Sequence, residues 1–135
     1  MGTALKFVRV RTIDQIPRHL FEQVKPREFD IDRLYEFAPV LLKNPLNLMG
    51  AFVTKEGEIK GVMWATFNVI ANSIMVNVLS IAKEYFGRGI VREANGILRK
   101  QQKVLGATRV VFTTTRPRAF ERFGYRKSKR VVMEM

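Results

Sequence analysis

Twenty-two consecutive residues, 61 to 82, contain no charged side chain, and a run of that kind has two solutions. It is long enough to cross a bilayer as one helix, or it forms two strands buried inside a protein. The polar residues within it decide. Asn68, Asn72, Ser73, Asn77 and Ser80 interrupt the run, and each amide is costly to place in hydrocarbon. Ala71-Asn72-Ser73 has turn chemistry and separates two stretches rich in Val, Ile, Phe and Met. The sequence therefore predicts strand, turn and strand, with no membrane contact.

The neighbouring segments extend this reading. Residues 48–54 form a strand and Lys55-Glu56-Gly57-Glu58 a turn into the long strand 59–69, giving a hairpin. Residues 74–81 are apolar on both faces, as for a strand covered on two sides. Residues 90–105 place Ile90, Ala94, Ile97, Leu98, Val104 and Leu105 on one stripe of a helix, opposite Arg92, Arg99 and Lys103, with Gly106 as its stop. A β-branched strand over 109–115 completes a strand–helix–strand unit, so the strands 74–81 and 109–115 run parallel through a right-handed crossover. Before the hairpin come a strand at 6–11 and a helix capped by Thr12 or Asp14, with Pro17 in its first turn and Ile16, Leu20, Phe21 and Val24 on one side. Asp30 caps a further helix bearing Leu34, Phe37, Ala38, Leu41 and Leu42, which Pro39 kinks or splits and Asn44-Pro45 ends. A helical turn at 117–123 and a last strand at 125–135 close the chain. At 135 residues without repeat or linker, the expectation is one α/β domain over 1–135 with an antiparallel front half.

Composition narrows the chemistry. The absence of cysteine removes disulfides, thiolate metal sites and a Cys nucleophile. A single histidine, His19, removes any site needing two imidazoles, so no metal centre is expected. His19 lies between Arg18 and Leu20 with no nucleophile in view and reads as a surface residue. Nothing near Met1 resembles a targeting signal, which leads to a cytoplasmic expectation.

Charge is the unusual property. The chain carries 24 Lys and Arg against 12 Asp and Glu, a net charge of +12. Residues 84–135 alone hold 13 basic and 4 acidic groups. Arg116, Arg118, Arg122, Arg126, Lys127, Lys129 and Arg130 share their stretch with one acid, Glu121. Such a surface attracts polyanions, including nucleic acid and phosphorylated cofactors, or serves solubility alone.

The junction between the strand 74–81 and the helix at Ile90 reads Phe86-Gly87-Arg88-Gly89-Ile90-Val91. Two glycines let the backbone turn sharply and aim successive N–H groups into one concavity, and the unpaired donors and dipole of the helix start add to the same field. Arg88 supplies a cation, so the turn suits a phosphate or pyrophosphate. Such a turn also forms for steric reasons alone. The spacing fits neither the dinucleotide fingerprint nor a P-loop.

The element order, together with Leu79-Ser80-Ile81 before Gly87-Arg88-Gly89 and with Ala119-Phe120-Glu121-Arg122-Phe123-Gly124-Tyr125 near the end, resembles the GCN5-related N-acetyltransferase (GNAT) family. The resemblance implies a mixed, mostly antiparallel sheet with a central parallel strand pair, flanked by about four helices. It implies an acyltransferase using acetyl-coenzyme A or a related acyl-CoA as co-substrate and a primary amine as acceptor. It also implies a cofactor site at Leu79, Ile81, Gly87, Arg88, Gly89 and Ile90. The cleft would lie where the parallel strands splay, walled by residues 77–81 and 110–115. The chain departs from the family pattern at Phe86 and Val91 in the loop, and at Phe120, where a general-acid tyrosine is common. Backbone N–H groups of a bulged strand can stabilise an oxyanion, and water near Asn77, Ser80 or Tyr85 can take a proton, but no catalytic side chain is assigned. Two alternatives stand beside this reading: a GNAT-like basic module without turnover that binds nucleic acid or a protein assembly, and a nucleic-acid-binding α/β domain with no cofactor.

Overall fold

The uncharged run does fold back on itself. In the computed structural model, which describes residues 5–23, 30–113, 117–130, 133 and 135, it supplies most of two long antiparallel strands. These are β3 (Ile59–Asn68) and β4 (Ser73–Ile81), joined by a turn in which Asn72 takes a left-handed conformation at φ 50°. Asn tolerates that region because its short amide bonds locally. With β1 (Lys6–Arg9), β2 (Asn47–Val53) and β5 (Arg109–Val111) they make a five-stranded sheet in the order β1-β2-β3-β4-β5. All pairs are antiparallel except β4–β5, which is parallel.

Each face of the sheet buries its own cluster. On one face Met49, Ala51, Val62 and Val78 pack with Leu20 and Phe21 of helix α1 (Arg18–Glu22) and with Leu34 and Ala38 of α2 (Ile31–Lys43). On the other, Phe52, Met63, Ala65, Ile74 and Val76 pack with Ile90, Ala94 and Leu98 of α3 (Ile90–Leu105). Leu20, Phe21 and Phe52 have no exposed surface, and each contributes about 1.5–3 kcal/mol of burial free energy. A short fourth helix, α4 (Arg118–Glu121), follows β5. No described helix is long and apolar enough to cross a membrane.

Helix α3 has the predicted bounds, and Gly106 ends it at φ 67°. Three expectations are corrected. The helix expected through Pro17 is two pieces, a 3-10 turn at Ile13–Gln15 and α1 beginning at Arg18. Pro17 forces Ile16 into extended backbone (ψ 127°), so the helix cannot pass through it. Of the two outcomes expected at Pro39, a kink or a split, the split does not occur: α2 runs unbroken across it from the Asp30 cap, whose carboxylate accepts from Arg33 N–H. The final strand is absent over residues 125–130, which are irregular, and residues 131, 132 and 134 of that segment lie outside the described residues. Likewise β5 ends at Val111, while residues 114–116 of its expected span lie outside the described residues.

Candidate functional site

A parallel strand pair that separates leaves a gap with unpaired backbone along it. β4 and β5 pair at Ser73↔Arg109, Ile74↔Val110 and Met75↔Val111, and among the described residues the pairing goes no further. β4 nevertheless continues to Ile81, held on its other edge by β3 as far as Ile81↔Gly61. Aromatic contacts join the end of β5 to α4. The ring of Phe112 sits 4.5 Å from that of Phe120 and 5.1 Å from that of Tyr125, and Phe112 also packs on the cluster that holds Ile74 and Val76 of β4. Arg99 of α3 donates to Phe123 O at 3.0 Å and fixes the end of α4.

The glycine turn lies at the far end of the gap. A 3-10 turn at Lys83–Tyr85 follows β4, with Ala82 N–H on Lys60 O at 2.8 Å and Arg88 N–H on Tyr85 O at 3.1 Å. Gly87 and Gly89 have φ of 75° and 89°, and nothing lies within 4 Å of where a Cβ would stand on either. Gly89 is the N-cap of α3 and the first bond back along the helix runs from Glu93 N–H to Gly89 O at 3.0 Å. The N–H groups of residues 90–92 therefore have no intrahelical acceptor and face the dipole's positive end. Open backbone, free donors and an exposed Arg88 fit an anionic group such as a pyrophosphate.

Electrostatics holds this turn in place. Lys60 Nζ lies 3.0 Å from both Glu58 and Glu84 carboxylates and 5.7 Å from the Tyr85 ring centroid, while the Arg88 guanidinium lies 5.3 Å from the same ring. Hydrogen bonds to Glu84 and Glu58 raise the Lys60 pKa. Glu84 is held below the ordinary carboxylate value by its own backbone N–H and by Lys60. Both carboxylates are thus taken up by Lys60, and Arg88 has no ion pair among the described residues.

The six residues named from the sequence as cofactor contacts come together at this end of the gap. Gly87, Arg88 and Gly89 are exposed; Leu79 and Ile81 are partly buried on the α3 face; Ile90 is buried and anchors the helix, leaving its backbone N–H at the turn. Val91 is only partly exposed. Ser80 points to the opposite face, where its hydroxyl bonds Leu20 O and receives Gln23 Nε2 at 2.9 Å, so it pins β4 to α1 rather than facing a reactant. Phe120 is enclosed by the aromatic group described above.

Sequence reading missed a polar chain on the α1/α2 face of the sheet. β4 is bulged opposite Trp64 and Ala65, which pair with Val78 and Val76 and leave Asn77 as the extra residue. Asn77 Nδ2 donates to Thr66 Oγ1 at 2.7 Å, Thr66 Oγ1 to Asn47 Oδ1 at 2.7 Å, and Trp64 Nε1 to the same Asn47 oxygen at 3.1 Å. One signal was present: Asn47 and Thr66 are polar residues in otherwise apolar strands, directly opposite each other in the β2–β3 register. A dent of about 60 Å³, lined by Arg9, Asn47, Thr66, Ile74, Leu98 and Gln101 among others, lies at the end of the sheet away from the glycine turn. It is far smaller than the several hundred Å³ a nucleotide needs.

No family model matches the chain, and no curated protein matches it in sequence. Solved structures do match in three dimensions. An aminoglycoside N-acetyltransferase in complex with CoA superposes with a TM-score of 0.80 at 11% identity, covering 100% of this chain and 96% of that one. Glucosamine-6-phosphate N-acetyltransferase from Arabidopsis thaliana gives 0.74 at 13% identity, covering 98% of each chain. A transcriptional regulator from Bacillus halodurans C-125 gives 0.75 at 18% identity, covering 98% of this chain and 99% of that one. At these identities the likeness is one of fold. The mixed five-stranded sheet with its single parallel pair is the GNAT fold.

Proposed function

We propose that this chain, built on the GNAT fold, is an acyl-coenzyme A-dependent N-acyltransferase that moves an acyl group, an acetyl group by preference, onto a primary amine. The observation that carries the reading is that the β4–β5 pairing ends, among the described residues, at Met75 and Val111 while β4 runs on to Ile81 and into a glycine turn that opens a helix. The acyl-CoA supplies an activated thioester. The chain's own groups do the rest. N–H groups of residues 90–92 and the Arg88 guanidinium hold the pyrophosphate. The edge of β4 over residues 76–81, which pairs with no described residue of the β5 chain, offers backbone donors and acceptors to the pantetheine arm, and Leu79 and Ile81 give it apolar cover. Donors on the bulged strand stabilise charge developing on the carbonyl oxygen. The neutral amine attacks the carbonyl carbon, the C–S bond breaks, and the amine proton passes to water. Because the thiolate is a good leaving group, lack of an acid at Phe120 forfeits only part of the roughly 10²–10⁴-fold that general acid–base help can give.

The test is binding followed by turnover. Acetyl-CoA at 100 times its dissociation constant should stabilise the chain by about 2.7 kcal/mol, and an absent thermal shift at millimolar cofactor would end the proposal. Gly89→Asp should abolish that shift in a folded protein, because it sets a carboxylate against the pyrophosphate. Gly89→Asn, with similar bulk and no charge, should keep more of it. Equal loss in both variants would assign the effect to backbone strain instead.

A second reading, a GNAT-like basic module without turnover, is favoured by one observation. Phe120 is packed against Phe112 and Tyr125, and Arg118, Arg122, Arg126, Lys127, Lys129 and Arg130 are exposed beside it. On either reading an anionic partner, an amine-bearing nucleic acid or nucleotide included, suits that surface.

A further inference from the structure

We infer that the side-chain carbonyl oxygen of Asn77 is the subsite that receives the N–H of the acceptor amine, and that Trp64 sets its direction through Asn47 and Thr66. The inference rests on the acyltransferase reading and adds the residues that hold the second substrate.

The argument is one of hydrogen-bond polarity. An indole N–H donates and cannot accept. Trp64 Nε1 therefore requires an oxygen from Asn47, and the other end of that amide, Nδ2, meets Leu41 O at 3.1 Å. The Thr66 hydroxyl shares the same Asn47 oxygen at 2.7 Å, so it must donate its only proton there. It then has only lone pairs left for Asn77, which must turn its NH₂ toward Thr66. Each amide orientation, ordinarily open to inversion, is fixed by the donor at the head of the chain. The Asn77 oxygen is left over. It has no partner among the described residues, and Asn77 is partly exposed.

Its place in the sheet gives that oxygen a purpose. Asn77 lies two residues beyond Met75, the last β4 residue paired with β5 among the described residues, and it is the bulged residue. Its bond to Thr66 places it on the α1/α2 face, whereas Leu79, Ile81 and Tyr85 pack on the α3 face with Ile90. The strand thus shows the cofactor candidates to one side and Asn77 to the other, with the β4–β5 gap between them. A neutral amine beside Asn77 would donate one N–H to its oxygen, leaving the nitrogen lone pair to reach through the gap. An amide oxygen is not a base at neutral pH. It orients the nucleophile, and the proton released on acylation goes to water.

The experiment uses the full chain with spermidine, glucosamine and ethanolamine as probe amines. Because the chain has no cysteine, released thiol measures coenzyme A alone. Because it has one tryptophan, its spectrum holds a single indole N–H signal at the head of the relay. Asn77→Ala should raise the amine KM roughly five- to tenfold, the effect of one lost hydrogen bond, with acetyl-CoA affinity unchanged. Thr66→Val should shift KM the same way and Thr66→Ser should restore it. Saturating amine should move the indole signal in the unaltered chain and not in Asn77→Ala. An unchanged amine KM in Asn77→Ala overturns the inference, as does a Thr66→Ser variant no better than Thr66→Val. Acetyl-CoA binding without acylation of any probe or movement of the indole signal also overturns the amine subsite while sparing the cofactor site. Failure of acetyl-CoA to bind, read by calorimetry before any amine is added, removes the acyltransferase reading itself and the inference with it.

Discussion

Glycine serves two different purposes in this chain, and single substitutions separate them. Gly89 needs its positive φ of 89° but has empty space around it, whereas a Cβ on Gly50 would stand 2.2 Å from Phe7 Cζ. Gly50→Ala should therefore destabilise by overpacking, about 1–3 kcal/mol, and Phe7→Leu should recover part of the loss. Denaturant melts of the two single variants and the double variant measure this. Gly89→Ala should cost about 1–2 kcal/mol from its left-handed backbone alone, with no relief from changing any neighbour. Sequence alone marked Gly89 because it stands before a helix. It could not mark Gly50, whose constraint is a ring arriving from another strand.

At the level of elements, an aromatic group of Phe112, Phe120 and Tyr125 joins the end of β5 to α4. Tyr125 belongs to it, and burial raises its phenol pKa above the ordinary value, opposed by nearby Arg99. A folded-state pKa above the unfolded one gives stability that is complete below the unfolded value and lost as pH rises through the folded one. Thermal melts should therefore weaken above the ordinary phenol pKa, and Tyr125→Phe should remove that component. Tyr35, also raised by burial against α1, should titrate late as well. An absorbance titration in which Tyr35 and Tyr125 ionise at the ordinary phenol value, assigned by Tyr35→Phe and Tyr125→Phe, would contradict both. Local pattern located α3, the hairpin and β4 because their periodicity and stop signals are strong. It ran a helix through Pro17 because it weighed the apolar spacing of Ile16, Leu20 and Phe21 above the backbone restriction on Ile16. It drew residues 125–135 as a last strand, but the dense charge of Arg126, Lys127, Lys129 and Arg130 gives that stretch no apolar alternation to pleat against the sheet, and residues 125–130 are irregular.

For the molecule as a whole, charge is distributed against the grain of the fold. Residues 84–135 carry 13 of the 24 basic groups, and this segment includes the glycine turn, α3 and α4. A polyanion bound there should show affinity falling linearly in log–log terms with salt. Titrating a nucleic acid or heparin against salt checks it, and a slope near zero would assign the charge to solubility alone. Arg122→Ala should lower the slope less than Arg126→Ala, because the Arg122 guanidinium is already engaged 5.3 Å from the Phe123 ring.

The order of strands and helices, the glycine turn and its basic surroundings were determined by the sequence, since each follows from local period, backbone freedom or composition. The separation of β4 from β5 was decided only in three dimensions. There Phe112 meets Phe120 and Tyr125 as well as the cluster holding Ile74 and Val76, contacts that local period does not give. The polarity of the Trp64–Asn47–Thr66–Asn77 relay was decided there too, because hydrogen-bond direction is fixed by which donor meets which acceptor across three strands.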